Sequence, residues 1–194
     1  MILGLDLATN LGWCLGAGHD VPLFGSVRIP GEDDIGAFAQ FYSRWATAKL
    51  EQLKAAHEAL PPKLRVTERP MCIFEAPVLP AGRFNPHTQR LEKAQTSIAT
   101  TRKLQGMAWE TEKLCRDLGV ECREEFLQTI KKGLSGHGKA DKTDMIRAAR
   151  RAGIEARTSD EADAFGVWLV GGVFNYAKRH RAAWESKLYG AAPP

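Results

Sequence analysis

Residues 2–8 read Ile2-Leu3-Gly4-Leu5-Asp6-Leu7-Ala8, a short run with the apolar character of a buried strand and one acid inside it. Side chains alternate faces along a strand, so Asp6 shares a face with Gly4 and Ile2. A lone carboxylate there is costly unless it is paired or bound to a cation. An edge position or a shifted strand boundary would also account for it. Outward from this run, residues 12–18 and 23–29 (LFGSVRI) carry two more strand patterns, separated by Gly18, His19, Asp20 and Pro22. That spacing predicts an antiparallel meander. Gly31-Glu32-Asp33-Asp34 is an acidic turn and a helix start. Over residues 35–60 the apolar positions Phe38, Phe41, Tyr42, Trp45, Ala48, Leu53 and Ala56 recur at helical spacing, and Pro61-Pro62 ends the helix.

Residues 71–75 (MCIFE) are a second apolar run, closing on Glu75. A polar stretch over 80–90 precedes a helix predicted over 92–118, with Gly119 at its end. Residues 120–124 (VECRE) fit a strand, and 131–139 (KKGLSGHGK) a Gly- and Lys-rich loop. A helix over 140–152 follows, and Ser159 has the position of an N-cap for a last helix reaching 178. The order βββ-α-β-α-β-α-α predicts an α/β fold: a five-stranded mixed sheet, antiparallel through its first three strands and then alternating with helices on both faces. Residues 1–178 form one predicted domain and 179–194 a basic tail.

The 194 residues suit a single domain, and 44% hydrophobic with 26% charged is an ordinary globular composition. It excludes disordered, collagen-like and disulfide-scaffold classes. No run approaches the roughly 18 apolar residues of a membrane span. The first six residues lack a basic segment and reach an acid, unlike a signal peptide. Cys14, Cys72, Cys115 and Cys122 form no C-x-x-C pair and sit beside apolar residues, as buried free thiols of a reducing cytoplasm would. The five histidines have no zinc-type spacing. Trp13, Trp45, Trp109 and Trp168 fall on apolar faces expected in core or interface, and Trp184 lies in the tail.

Asp160 and Asp163 stand three apart in Ser159-Asp160-Glu161-Ala162-Asp163-Ala164, so on a helix both carboxylates face one spot. Acids in a first turn also favour the helix dipole, and Glu75 at a strand end is a common placement. Glu161, turned about 100° from Asp160, faces solvent. Taken together, Asp6, Glu75, Asp160 and Asp163 would form a convergent oxygen-only set. Such a set cannot stay ionised without a counter-charge. It suits Mg²⁺ or Mn²⁺ rather than zinc. Two such ions about 3.5–4 Å apart can activate a water and stabilise the leaving oxygen of a phosphodiester.

Four motifs in order, Gly4-Leu5-Asp6, Ile73-Phe74-Glu75, Gly138-Lys139-Ala140-Asp141-Lys142 and Asp160-Glu161-Ala162-Asp163-Ala164, resemble the RuvC-like Holliday junction resolvases of the RNase H-like nuclease superfamily. The resemblance spans about residues 1–178. It implies a homodimer, joined through the 92–118 helix, that nicks opposed strands of a four-way DNA junction. It implies Asp6, Glu75, Asp160 and Asp163 as metal ligands, with Lys131 and Lys142 acting near the scissile phosphate. This chain has Leu7-Ala8 where the family usually has Pro-Gly, and its turn before Gly12 is about one residue shorter. It has Val78 where an aromatic wedge often stands, with Phe84 nearby.

Charge placement agrees with a nucleic-acid partner. Residues 131–151 carry Lys131, Lys132, Lys139, Lys142, Arg147, Arg150 and Arg151 against Asp141 and Asp144, a net +5 beside +4 for the whole chain. Arg83, Phe84 and Arg90, with His87, make a basic loop with an aromatic able to stack on a base. A solvated helix face is the simpler account of Arg147–Arg151. Two other functions fit parts of the sequence. Residues 4–10 also resemble the first phosphate loop of actin-like ATPases, which need a second domain and a longer chain. A non-catalytic module binding branched DNA would have no use for four acids facing phosphates.

Overall fold

The computed structural model of the chain describes residues 1–31, 33–67, 69–77, 83–85, 89–92 and 97–190, without the side chains of 66, 67, 83–85 and 90–92. The first three strands, β1 (Ile2–Asp6), β2 (Asn10–Gly16) and β3 (Leu23–Arg28), form the expected antiparallel meander. Helices α1 (Ile35–Glu58) and α2 (Pro62–Thr67) lead to β4 (Met71–Glu75). A hairpin of β5 (Arg83–Asn85) and β6 (Arg90–Glu92) precedes α3 (Ile98–Leu118) and β7 (Glu121–Glu125). Then come α4 (Leu127–Ser135), α5 (Lys142–Arg151) and α6 (Ser159–Gly166). α6 runs on into a π-helical stretch, Val167–Phe174, and a 3-10 turn at Lys178–His180 leads to α7 (Arg181–Tyr189). The main sheet is mixed and five-stranded, ordered β3-β2-β1-β4-β7, with β1 and β7 both parallel to β4.

The strand alternation divides the core into two layers. Leu3, Leu5, Cys72 and Phe74 point to one face and pack beneath α1 and α3, with Phe38, Leu50, Leu53 and Met107. Ile2, Cys14 and Ile73 point to the other and pack beneath α4 to α7, with Phe165, Trp168 and Val173. Buried on both faces, β1 and β4 need the near-continuous apolar runs that the sequence shows. Asp34 starts α1 by accepting a hydrogen bond from the Ala37 amide at 3.0 Å. Asp141 and Asp144 start α5 with a reciprocal capping box.

Several expectations are corrected. The helix expected over 92–118 begins at Ile98, because Arg90–Glu92 pairs as a strand and Ser97 caps the helix through the Thr100 amide at 3.1 Å. Lys131 and Lys132 lie on helix α4, not in a glycine-rich loop. Gly133 serves packing there, since a Cβ would come within 2.6 Å of Val170. Thr158, not Ser159, caps α6, accepting from the Glu161 amide at 3.2 Å; Ser159 donates instead to Asp160. The residues expected as a tail carry α7, whose Trp184 and Leu188 are buried and whose Trp184 indole donates to the Gly18 carbonyl at 2.7 Å. Of the tryptophans expected in core or interface, Trp168 is fully buried and Trp109 is 64% exposed. Cys122 is only partly buried.

Helix α6 and its π-helical continuation lie unusually close to the sheet. A Cβ on Gly4 would fall 2.6 Å from the Trp168 amide nitrogen. One on Gly12 would fall 2.6 Å from the Asp160 carbonyl carbon and closer still to its oxygen. These obstacles are backbone atoms and cannot swing aside. We expect Gly12→Ala to cost about 3 kcal/mol, the upper range for overpacking, read by urea denaturation. Gly106→Ala, in α3 with nothing within 4 Å of the new methyl, should instead gain up to about 1 kcal/mol. Equal effects at the two positions would contradict this account of the packing.

Candidate active site

The close approach of α6 to the sheet assembles the acids. The parallel register sets Ile2 beside Met71 and Gly4 beside Ile73, which carries Asp6, at the end of β1, alongside Glu75, at the end of β4. Both side chains lie on the face that receives α6, with Gly4 and Ile73. Asp6 is also paired across the antiparallel ladder with Gly12. Because Gly12 has no side chain, the Asp160 backbone rests directly on β2 beside Asp6. Asp163, one helical turn further, faces the same way.

The four acids share one electrostatic field. Burial drives the Asp6 carboxyl well above its ordinary range, and the charges of Glu75, Asp163 and Asp160 push it further up, while Lys142 opposes them. Burial lifts Glu75 from 4.5 to about 7, assisted by Asp163 and opposed by Lys131. Burial lifts Asp163 from 3.8 to about 6; Lys131 and Lys142 oppose the rise, and Asp160 assists it. Two lysines from different helices thus flank the acids, Lys131 from α4 and Lys142 from the first position of α5.

Asp163 also has a buried Oδ1 with no hydrogen-bond partner. Mutually repelling carboxylates, raised proton affinities and an orphaned acid oxygen fit a hard divalent cation with oxygen ligands. Among the described residues, no three His, Cys, Asp or Glu side chains are closed into a ready ion cage. The donors are gathered rather than pre-set.

The other basic residues predicted for DNA stand further out. Lys132, Lys139 and Arg147 are exposed, and Arg147 pairs with Asp144 at 3.4 Å. Arg83, Phe84 and Arg90 lie in the β5–β6 hairpin, with their side chains outside the described residues, as are Val78 and His87 altogether. One further acid escaped the sequence reading. Glu125 closes β7 directly beside Glu75. Its Oε1 accepts from the Phe126 amide at 2.9 Å and its Oε2 from the Asn175 side chain at 2.8 Å. Those bonds commit it to joining the sheet to the end of the π-helical stretch. Extending the 120–124 strand by one residue would have revealed it.

The five-stranded mixed sheet with helices on both faces has the RNase H-like fold. Within that class the fold is RuvC-like. A Thermus thermophilus RuvC structure aligns over 100% of this chain and 99% of its own, at 16% identity and a TM-score of 0.54. A structure of T. thermophilus RuvC in complex with a Holliday junction substrate aligns over 100% and 98%, at 17% identity and a TM-score of 0.57. No family model and no curated protein sequence matches the chain.

A carboxyl whose folded pKa exceeds its unfolded one holds its proton more tightly when folded. Its contribution to stability is complete below the unfolded pKa and is lost as pH rises through the folded one. For Glu75 that window runs from 4.5 to about 7, and for Asp163 from 3.8 to about 6. In chelator, the melting temperature should therefore fall across this range. Glu75→Gln should remove a part worth at most roughly 3 kcal/mol, and Mg²⁺ added above pH 7 should restore the wild type. A melting temperature unaffected by Mg²⁺ would count against cation binding here.

Proposed function

We propose that the protein is a metal-dependent, structure-selective endonuclease that resolves four-way and related branched DNA junctions by paired nicks, leaving 5′-phosphate and 3′-hydroxyl ends. The observation that carries this reading is the gathering of Asp6, Glu75, Asp160 and Asp163 into one partly buried field, with Lys131 and Lys142 beside it. The RuvC-like fold over the whole chain supports the same reading. The four acids would hold Mg²⁺ or Mn²⁺, as two ions. A cation held there would supply Lewis acidity toward the phosphodiester and its attacking water. Lys131 and Lys142 offset charge on the phosphate as it builds in the transition state. The exposed Lys132, Lys139 and Arg147 neutralise flanking phosphates, with Arg83, Phe84 and Arg90 of the hairpin assigned to the junction itself.

Paired nicking needs two sites, and we assign the dimer contact to the opposite face of the sheet. A largely apolar cleft of about 350 Å³ lies there between α1 and α3, bordered by Ile35, Phe38, Met107 and Trp109. Trp109 on its border is 64% exposed, and Ile98 at the start of α3 is 79% exposed. No helix of the described residues is long and apolar enough to cross a membrane. We place the activity in the cytoplasm of a bacterial or phage-infected cell.

The test is a Mg²⁺ cleavage panel of duplex, flap, three-way and four-way DNA. Symmetric paired nicks on the four-way substrate are expected. Asp6→Asn and Asp163→Asn should reduce nicking to background while junction binding survives, and Lys142→Ala should slow it by roughly 10²-fold. Equal cleavage by the wild type and Asp6→Asn would overturn the assignment. Tight junction binding with no nicking in either metal would instead favour a binding module.

A further inference from the structure

Three of the four cysteines meet in one place, on the sheet face turned away from the acids. Cys72 in β4 and Cys122 in β7 are register partners on adjacent parallel strands, and both belong to the layer beneath α1 and α3. Cys115 comes down onto them from α3. The helix ends just beyond it and the chain turns back, the Val120 amide donating to the Cys115 carbonyl at 2.8 Å. The three thiols lie close enough to perturb one another's proton affinities. Cys72 and Cys115 are fully buried and Cys122 is partly exposed, so reagents reach the cluster through Cys122. Cys14 lies in the opposite layer, away from the cluster.

From this convergence we infer a redox modification site, in which a hydroperoxide oxidises Cys122 and Cys115 resolves the product to a Cys115–Cys122 disulfide. The surroundings favour ionisation at the exposed member. The neighbouring thiols, Cys115 first and then Cys72, together with the Arg123 backbone, hold Cys122 below the ordinary thiol range against the opposing effect of burial. The neighbouring sulfurs and burial push Cys115 and Cys72 up, which keeps them as thiols. In the first step the Cys122 thiolate attacks the peroxide. An S–O bond forms, the O–O bond breaks, sulfur loses two electrons and hydroxide (or alkoxide) departs. In the second, the Cys115 sulfur attacks the sulfenic sulfur. The S–S bond forms, the S–O bond breaks, and the Cys115 proton leaves with the hydroxide as water. The product ties the C-terminal end of α3 to β7, across a short stretch of chain. It goes beyond the nuclease reading and does not depend on it.

The test treats the native full-length protein with low hydrogen peroxide, counts free thiols and maps disulfide-linked peptides without reduction. The wild type should lose two of its four thiols, yield a Cys115–Cys122 linked peptide and recover both thiols with dithiothreitol. Cys115→Ser should accumulate sulfenic acid at Cys122, trapped by dimedone, and Cys122→Ser should keep its thiols. Native alkylation of Cys122 at pH 6 should be about tenfold faster than that of glutathione. The wild-type map needs no variant, so misfolding of Cys115→Ser would leave the test intact. A different linked pair, equal oxidation of Cys122→Ser, or Cys122 reactivity no greater than glutathione's would overturn the inference.

Discussion

Everything at the acidic end of the sheet depends on how closely α6 and its π-helical continuation approach β1 and β2. Gly4 and Gly12 leave no side chain between the sheet and the helix backbone at Trp168 and Asp160. A Cβ at either position would meet helix backbone, so ordinary side chains there would push Asp160 and Asp163 away from Asp6 and Glu75. Steric absence at two positions is thus converted into electrostatic proximity at four. The π-helical stretch extends the same contact, with Gly171 and Gly172 meeting Ile73 and Ile2, and Asn175 at its end tied to Glu125.

The gathered acids are a place where stability is given up. Burial and mutual repulsion raise Asp6, Glu75 and Asp163 together, and the buried Asp163 Oδ1 is left without a partner. Lys131 and Lys142 relieve only part of this. They come from α4 and α5, which pack with α6 on the same side of the sheet. A site held in tension by its own charge is disposed to accept further positive charge, which is the property a cation-dependent nuclease requires.

The two faces of the sheet carry different chemistry from the same strands. Glu75 and Ile73 look toward α6, while Cys72 and Phe74, one residue removed, look toward α1 and α3. The period of two that brings acids together on one side therefore brings thiols together on the other. The apolar cleft beside Trp109 lies on this second side as well, so the surface proposed for pairing and the surface proposed for oxidation share α3.

The amino-acid sequence by itself determined the antiparallel meander and the mixed sheet, and it singled out the four acids as candidates, because these rest on local pattern: apolar runs, period-2 alternation, helical spacing and acids where acids do not belong. It misplaced Lys131 and Lys132 in a loop, because Gly133 looks like a breaker until Val170 is seen against it. It took residues 179–194 for a tail, because a short helix with few apolar residues shows its purpose only when Trp184 and Leu188 find the core. It ended a strand one residue before Glu125, and could not show that three scattered cysteines meet. Those features are contacts between residues far apart in the chain. They are decided by register and by the distance between layers, which only the tertiary structure sets.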